Sequence, residues 1–407
     1  MLTIIYPYTN LSFPSRMANM IQTLNTCHAL AAGGKATVHF IFRTPKKLTE
    51  KEILGYYGLE PCPQLHLHSI IIPYISLPVL GVISNVLFRI NLYIKITKLL
   101  REYPDAVVYC RDLQISHWLI KFKKMFRNKV VFEAHSVNSW FFKNWHTWSG
   151  DSQPLANWRI KRLELKENRV FQEVDALVAL TRRLKEVLIE EFGVNAKKIF
   201  VIPDATRLIP LEKRSLPRDA EKQVVGYAGQ LNPSRGVDVL IEAMNFLDNR
   251  VELMIIGGSN PRDLERLEKL TVKLGIANKI TLTGYIEPSK LHEYLDKADV
   301  LTMPHLDQIH VTNFASPLKM FEYMALKKPI VATDLLSTRE ILRDGENAVL
   351  VQPNDPQALA LGIKQVLENQ EMATRLAENA YKEVSEKYTW EKRAERIISI
   401  LCSSLEK

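Results

Sequence analysis

The sequence predicts an α/β protein of two Rossmann-like lobes in series, each a mostly parallel sheet covered by helices on both sides, the pair facing a central cleft. Three observations predict it. The chain has 407 residues, beyond the roughly 250–300 at which a single core usually divides. Short apolar runs alternate with amphipathic stretches, the pattern of strands joined by crossover helices. That alternation lapses once, over PDATRLIPLEKRSLPRDAEKQ (Pro203 to Gln223), where three prolines and dense charge read as a linker, and then restarts. The expected partition is a first lobe at 1–203, a linker at 204–223, a second lobe at 224–385 and a C-terminal helix at 386–407 that packs back on the first lobe.

The elements follow in order. Thr3–Tyr6 is an apolar strand, and the loop Pro7–Ser15 leads into a helix over Arg16–Ala32 that Gly33-Gly34 stops. Strands follow at Thr37–Phe42 and Leu65–Ile71, then a helix at Val86–Leu100 with apolar residues at three-to-four spacing. Ala106–Tyr109 and Lys129–Glu133 are strands separated by a helix at Leu113–Phe126. The lobe closes with the helix Trp158–Gln172, the strand Ala176–Ala179, the helix Thr181–Phe192 and the strand Lys198–Ile202. In the second lobe the strands are Val224–Ala228, Val251–Ile256, Lys279–Thr283, Val300–Met303, Pro329–Thr333 and Ala348–Val351. Helices lie between them, and the last run over Pro356–Lys387 and Trp390–Ser404.

Composition narrows the function classes. Apolar residues make up 46% and charged residues 24% of the chain, ordinary for a globular protein. The net charge of +9 suits anionic ligands such as nucleotides, phosphates or acidic lipid head groups. Nucleic acid is not expected, because the chain has no arginine-rich run and no recognition motif. Cys27, Cys62, Cys110 and Cys402 lie far apart without metal-ligand spacing, so reduced thiols and no metal are expected. The N-terminal MLTIIYPYTN has no basic region ahead of a long apolar core and is not read as a signal peptide, so a cytoplasmic protein is expected. Ile70 to Phe88 carries no charged residue, but Pro73, Pro78 and Gly81 interrupt it. A strand, a turn and then an exposed or membrane-touching helix are expected there rather than a span, placing the protein peripherally at the cytoplasmic face of a membrane.

The chemistry centres on DVLTMPHLDQIHVTNFASPLKMFEYMALKKPIVAT, from Asp299 to Thr333, which reads strand, loop, helix, strand. Ser316 is the expected N-cap and Pro317 the first helical residue. The amides of Leu318 and Lys319 would then be free donors at the positive end of the helix dipole, suited to a diphosphate. Glu322 shares their face one turn deeper, where a carboxylate accepts from adjacent ribose hydroxyls. The first strand of the second lobe ends in GYAGQLNPSRGVDVLIEAM, which is neither a Walker loop nor GxGxxG; Gly229 and Gly236 permit close backbone approach, and Arg235 is placed to grip a phosphate. Gly284-Tyr285 follows another strand and suits a base or ribose contact. In the first lobe, His135 and the pair Arg111-Asp112 each lie just past a strand's carboxyl end, where ligands of open α/β sheets bind; Arg111-Asp112 also reads as a structural ion pair. Asn10, Arg16 and Arg111 are the residues expected on the acceptor side. Trp140, Trp145, Trp148 and Trp158 crowd with Phe141 and Phe142 into residues 138–158, to pack on the lobe, stack on a sugar or dip into an interface.

Together these residues resemble the family-4 retaining glycosyltransferases of the GT-B fold. GYAGQLNPSRGVDVLIEA, LMIIGG, ITLTGYIEPSKLHEYLDKADVLTMP and SPLKMFEYMALKKPIVAT fall in the family's order, and EAH and VIPDA are the recognisable pieces of the first lobe. The resemblance implies a hexosyl transfer from a UDP- or GDP-linked sugar to an acceptor hydroxyl, with retention and without a metal or other cofactor, the nucleotide sugar being a co-substrate. It implies that Arg235 stands where a loop lysine contacts the donor diphosphate, that Glu322 binds the donor ribose, that Leu318 and Lys319 supply phosphate-binding amides, and that His135 lies near the transferred sugar. Two departures stand out: Phe314 replaces the first of the family's paired glutamates, and Gln230 replaces its arginine. The glycine-rich loop after the first strand is PYTNLSFPSR here. The expected partners are the nucleotide sugar, a sugar, lipid-linked or small-molecule acceptor, and a membrane surface met through residues 70–100 and 138–158. A sugar-nucleotide epimerase on the same fold, or a non-catalytic binding protein, are the alternatives.

Overall fold

The computed structural model describes residues 1–13, 15, 17–73, 75, 78–145, 155–208, 222–258 and 260–405. The chain divides into two compact units, Met1–Pro203 with Trp390–Lys407, and Asp204–Thr389. Each is built on one parallel sheet. In the first unit β1 (Leu2–Ser12), β2 (Ala36–Thr44), β3 (Leu65–Ile71), β4 (Val107–Cys110), β5 (Val130–Ala134), β6 (Ala176–Ala179) and β7 (Ile199–Val201) lie in the order β3-β2-β1-β4-β5-β6-β7. In the second, β8 (Gln223–Gly229), β9 (Val251–Gly257), β10 (Ile280–Leu282), β11 (Val300–Met303), β12 (Ile330–Thr333) and β13 (Val349–Val351) lie in the order β10-β9-β8-β11-β12-β13. Both orders reverse direction once, between β1 and β4 and between β8 and β11. Crevices beyond the carboxyl ends of strands form at such reversals.

The central strands explain why the apolar runs are continuous. Every residue of β4, β5, β6, β11 and β12 is buried, as a sheet covered on both faces requires. One cluster of the second unit gathers Val225, Leu240, Ile255 and Ile363, and another gathers Leu301, Met320, Phe321 and Ile341. These two clusters are the hydrophobic interior that positions the loops above them.

Several boundaries differ from the sequence expectation. β1 runs on to Ser12, pairing with β2 through a register shift between Pro7 and Ser12, where a loop was expected. The linker stretch 209–221 lies outside the described residues. The last helical stretch of the second unit is two helices, Pro356–Glu368 and Gln370–Lys387, because the Asn369 side chain accepts from the Met372 amide and caps the second. The helix expected from Val86 begins at Pro78 and runs to Glu102. Arg43, buried on β2, explains the early start: its guanidinium donates to the carbonyls of Ile72 (2.8 Å) and Pro73 (2.6 Å), to Asn85 Oδ1 (2.7 Å) and to Ser84. Four hydrogen bonds from one buried cation thus fix the chain entering the helix and its first turns.

Candidate functional site

In the second unit the site assembles at the switch point between β8 and β11. β8 ends at Gly229, whose φ of +142° few residues other than glycine adopt. A Cβ there would also lie 2.7 Å from Lys319 Nζ. The loop then turns through Pro233–Arg235 to Gly236, which has φ +68° and where a Cβ would sit 1.7 Å from the Pro304 carbonyl oxygen. Gly236 therefore lets the loop after β8 lie directly against the residues that leave β11. Arg235 is half-buried, and no described residue accepts a hydrogen bond from its guanidinium.

From β11 the chain passes Pro304 and His305 into a short helix, Ile309–Phe314, where the sequence suggested only a loop. Phe314, at the position of the missing acid, is 1% exposed. It is a core residue, and burying a phenylalanine contributes about 1.5–3 kcal/mol. The helix Leu318–Ala325 follows. Its N-cap is Pro317 and not Ser316, because the Ser316 hydroxyl accepts from the Asp204 amide at 3.0 Å. The first-turn amides of Leu318 and Lys319 have no intrahelical acceptor and point out from the positive end of the dipole.

Lys319 sits over the Tyr227 ring, its Nζ 4.0 Å from the centroid and donating to the Tyr227 hydroxyl at 2.9 Å. Burial and the neighbouring Arg235 push its ammonium well below the usual lysine range, with Glu322 pulling the other way. Glu322 shows the complementary effect: burial raises its carboxyl, opposed by Lys319 and Arg207. No described residue donates a hydrogen bond to that carboxylate. His305 is 1% exposed, its Nε2 has no hydrogen-bond partner among the described residues, and burial, Lys319 and Arg235 hold its ring neutral, well below the usual histidine range. The Arg235 guanidinium, the Lys319 amine, a neutral imidazole, two amides without an intrahelical acceptor and a carboxylate without a described donor therefore converge on one end of the sheet. Such a set holds an oxyanion group and, one helical turn away, a pair of hydroxyls. Gly284, with φ +69°, accepts from the Gly257 amide at 2.8 Å beside the end of β9, and Tyr285 follows it.

The first unit carries a second cluster. Glu133, fully buried on β5, accepts from Arg393 (2.7 Å), from Gln22 (2.7 Å), from Tyr109 and from His135 Nε2 (2.7 Å). Burial alone would raise its carboxyl, but Arg393, His135 and Arg111 outweigh that and hold it below the usual carboxylate range. Burial and Arg111 push the His135 imidazole down to about 4 against the pull of Glu133. With Nε2–H donating to Glu133, the neutral ring keeps Nδ1 as an acceptor. Arg111 is turned inward, donating to Gln22 (2.8 Å) and Asn19 O (3.3 Å), while Asp112 caps the helix Leu113–Lys121. The Arg111-Asp112 ion pair suggested by sequence is thus replaced by two separate contacts. Asn10 falls within β1; Arg16 and Trp148 lie outside the described residues.

Sequence reasoning missed His305, Tyr227, Glu133 and Arg393. His305 carries the same signal that singled out His135, a histidine just past a strand end. Tyr227 and Glu133 fall within the GYAG and EAH stretches but inside buried strands, and Arg393 lies inside a helix, so nothing local marks what their side chains contact.

Residues 21–207 match the family described as Glycosyltransferase Family 4, and residues 209–383 match that described as Glycosyl transferases group 1. Among curated sequences the chain is similar to D-inositol 3-phosphate glycosyltransferase of Xylanimonas cellulosilytica, 28% identical over 258 residues, 59% of this chain. The chain spans about 60% of the length of that relative. Among solved structures, sucrose-phosphate synthase from Thermosynechococcus elongatus superposes over 99% of each chain with a TM-score of 0.76 at 18% identity. Anabaena HepE in complex with UDP-glucose superposes over 99% of this chain and 100% of that one, with a TM-score of 0.70 at 16% identity. At these identities the structural likeness is one of fold.

Proposed function

The chain belongs to the group 1, family-4 retaining glycosyltransferases and has their GT-B fold, and from that premise we propose that it moves a hexosyl group from a nucleoside-diphosphate sugar to an acceptor hydroxyl with retention and without a metal. The observation that carries this reading is the first turn of Leu318–Ala325: the amides of Leu318 and Lys319 without an intrahelical acceptor, Lys319 over Tyr227, and the Glu322 carboxylate with no described hydrogen-bond donor, all within one turn. The amides, Lys319 and Arg235 hold the diphosphate, and Glu322 accepts from the ribose hydroxyls. Negative charge grows on the diphosphate as the glycosidic bond breaks, so these fixed donors stabilise the transition state more than the bound donor. Phe314 brings no carboxylate to the sugar hydroxyls, and attack from the leaving-group face, with the departing phosphate taking the acceptor proton, fits the residues present. A UDP-sugar is the first donor to try, because HepE of the same fold is complexed with UDP-glucose.

The test is calorimetry against UDP- and GDP-sugars, followed by NMR of the products with and without acceptor. Glu322→Ala and Arg235→Ala are each expected to weaken donor binding about tenfold to a hundredfold, the worth of a hydrogen bond to a charged group. Unchanged binding in both variants sinks the assignment. A product formed from the donor alone with an inverted ring carbon would make the chain an epimerase. Tight binding without turnover across a broad acceptor panel would make it a binding protein.

A further inference from the structure

The helix Pro78–Glu102 presents an apolar face that no described residue of its unit covers. Val79, Val82, Ile83, Val86, Ile90 and Ile94 are between 49% and 72% exposed. At 3.6 residues per turn they and their exposed neighbours Leu80 and Leu87 occupy roughly 160° of the helix. The opposite side is the buried one: Phe88, Leu92, Ile96 and Leu99 are each at most 3% exposed. Isolated exposed leucines are ordinary, but a continuous stripe over four turns is not.

Charge says what covers it. The helix carries Arg89, Lys95, Lys98 and Arg101, and its one acidic residue is Glu102, the last. Arg89 and Lys98 are exposed and lie at opposite edges of the apolar stripe, with Arg101 beyond its C-terminal end. An apolar stripe framed by cations matches the boundary between the acyl chains and the anionic head groups of a bilayer. By length and composition Val79–Glu102 could also cross a membrane. The fold decides against that, since Arg43 ties the first turns to β2 and the Leu92–Ile96 side is already core.

We propose that the outward face of this helix lies flat in an anionic lipid surface and docks the protein there, whether or not it transfers a sugar. Val86 and Ile90 enter the acyl boundary, and Arg89 and Lys98 meet lipid phosphates. The experiment is flotation of the full chain with phosphatidylcholine vesicles, with and without phosphatidylglycerol. Flotation is expected only with the anionic vesicles, weakened by salt and released by alkaline carbonate. Arg89→Gln and Lys98→Gln should each lower partitioning about fivefold, and Val86→Asp with Ile90→Asp should abolish it. Circular dichroism and nucleotide binding by the second unit are expected to stay as in the parent, which separates lost docking from lost folding. Absence of flotation, or flotation indifferent to these substitutions, overturns the proposal. So does retention through carbonate, which would mean a span, or a lipid-independent dimer that Val86→Asp dissolves, which would mean that a second copy covers the face.

Discussion

Lys319 is where burial and the proposed function meet most directly. An ammonium held over an aromatic face, beside a second cation and shielded from water, is displaced toward its neutral form. A diphosphate held at Leu318 and Lys319 as proposed would restore the preference for the charged form, so the lysine pKa would rise on binding. The sign follows: where the free lysine is partly deprotonated, binding takes up a proton from buffer. UDP titrations should therefore give a more positive enthalpy in a buffer of large ionisation enthalpy than in one of small ionisation enthalpy. Lys319→Arg should remove that dependence, because a guanidinium stays charged. An enthalpy independent of buffer in the parent protein would show that the ammonium is already fully charged before the ligand arrives. Gly236 works at the same scale by omission, since any Cβ there would collide with the Pro304 carbonyl.

Among the elements, the helix Trp390–Leu405 belongs with the first unit and supplies a buried cation to its core. It contributes Arg393, which is 2% exposed and donates to Glu133, to Ile202 O (2.8 Å) and to Pro203 O (2.6 Å). Glu133 in turn holds His135. Breaking a buried ion pair from one side strands the other charge, at a cost of about 3–5 kcal/mol. Urea unfolding of Arg393→Met should show a loss of that size. Glu133→Gln added to it should recover part of the loss, because the stranded carboxylate is gone. If the double variant is no more stable than the single one, the pair is not what Arg393 contributes. The His135 contact is one consequence of this pairing, so the His135 ring orientation depends on a helix at the far end of the chain.

At the scale of the whole molecule, the two units are not two contiguous halves of the sequence. Residues Trp390–Lys407 belong with Met1–Pro203, and Asp204–Thr389 forms the other unit by itself. A chain ending at Thr389 should thus lose stability in the first unit, where Glu133 would be left without Arg393, while UDP binding by the second unit persists. Loss of both together would show that the second unit does not hold its nucleotide site independently. The sequence by itself determined the alternation of strands and helices, the parallel sheets and the family, because each rests on local period and on short motifs that keep their order. It also located the first turn of Leu318–Ala325, since Ser316-Pro317 ahead of an amphipathic run marks a helix start even though Pro317 became the cap. Only the tertiary structure brought Tyr227 under Lys319, 92 residues away, and Arg393 to Glu133, 260 residues away. The same holds for the side of Pro78–Glu102 left outward, which Arg43 and the sheet decide. Long-range pairs of this kind arise from the burial of charge and the exclusion of water between elements, and neither leaves a period in the sequence.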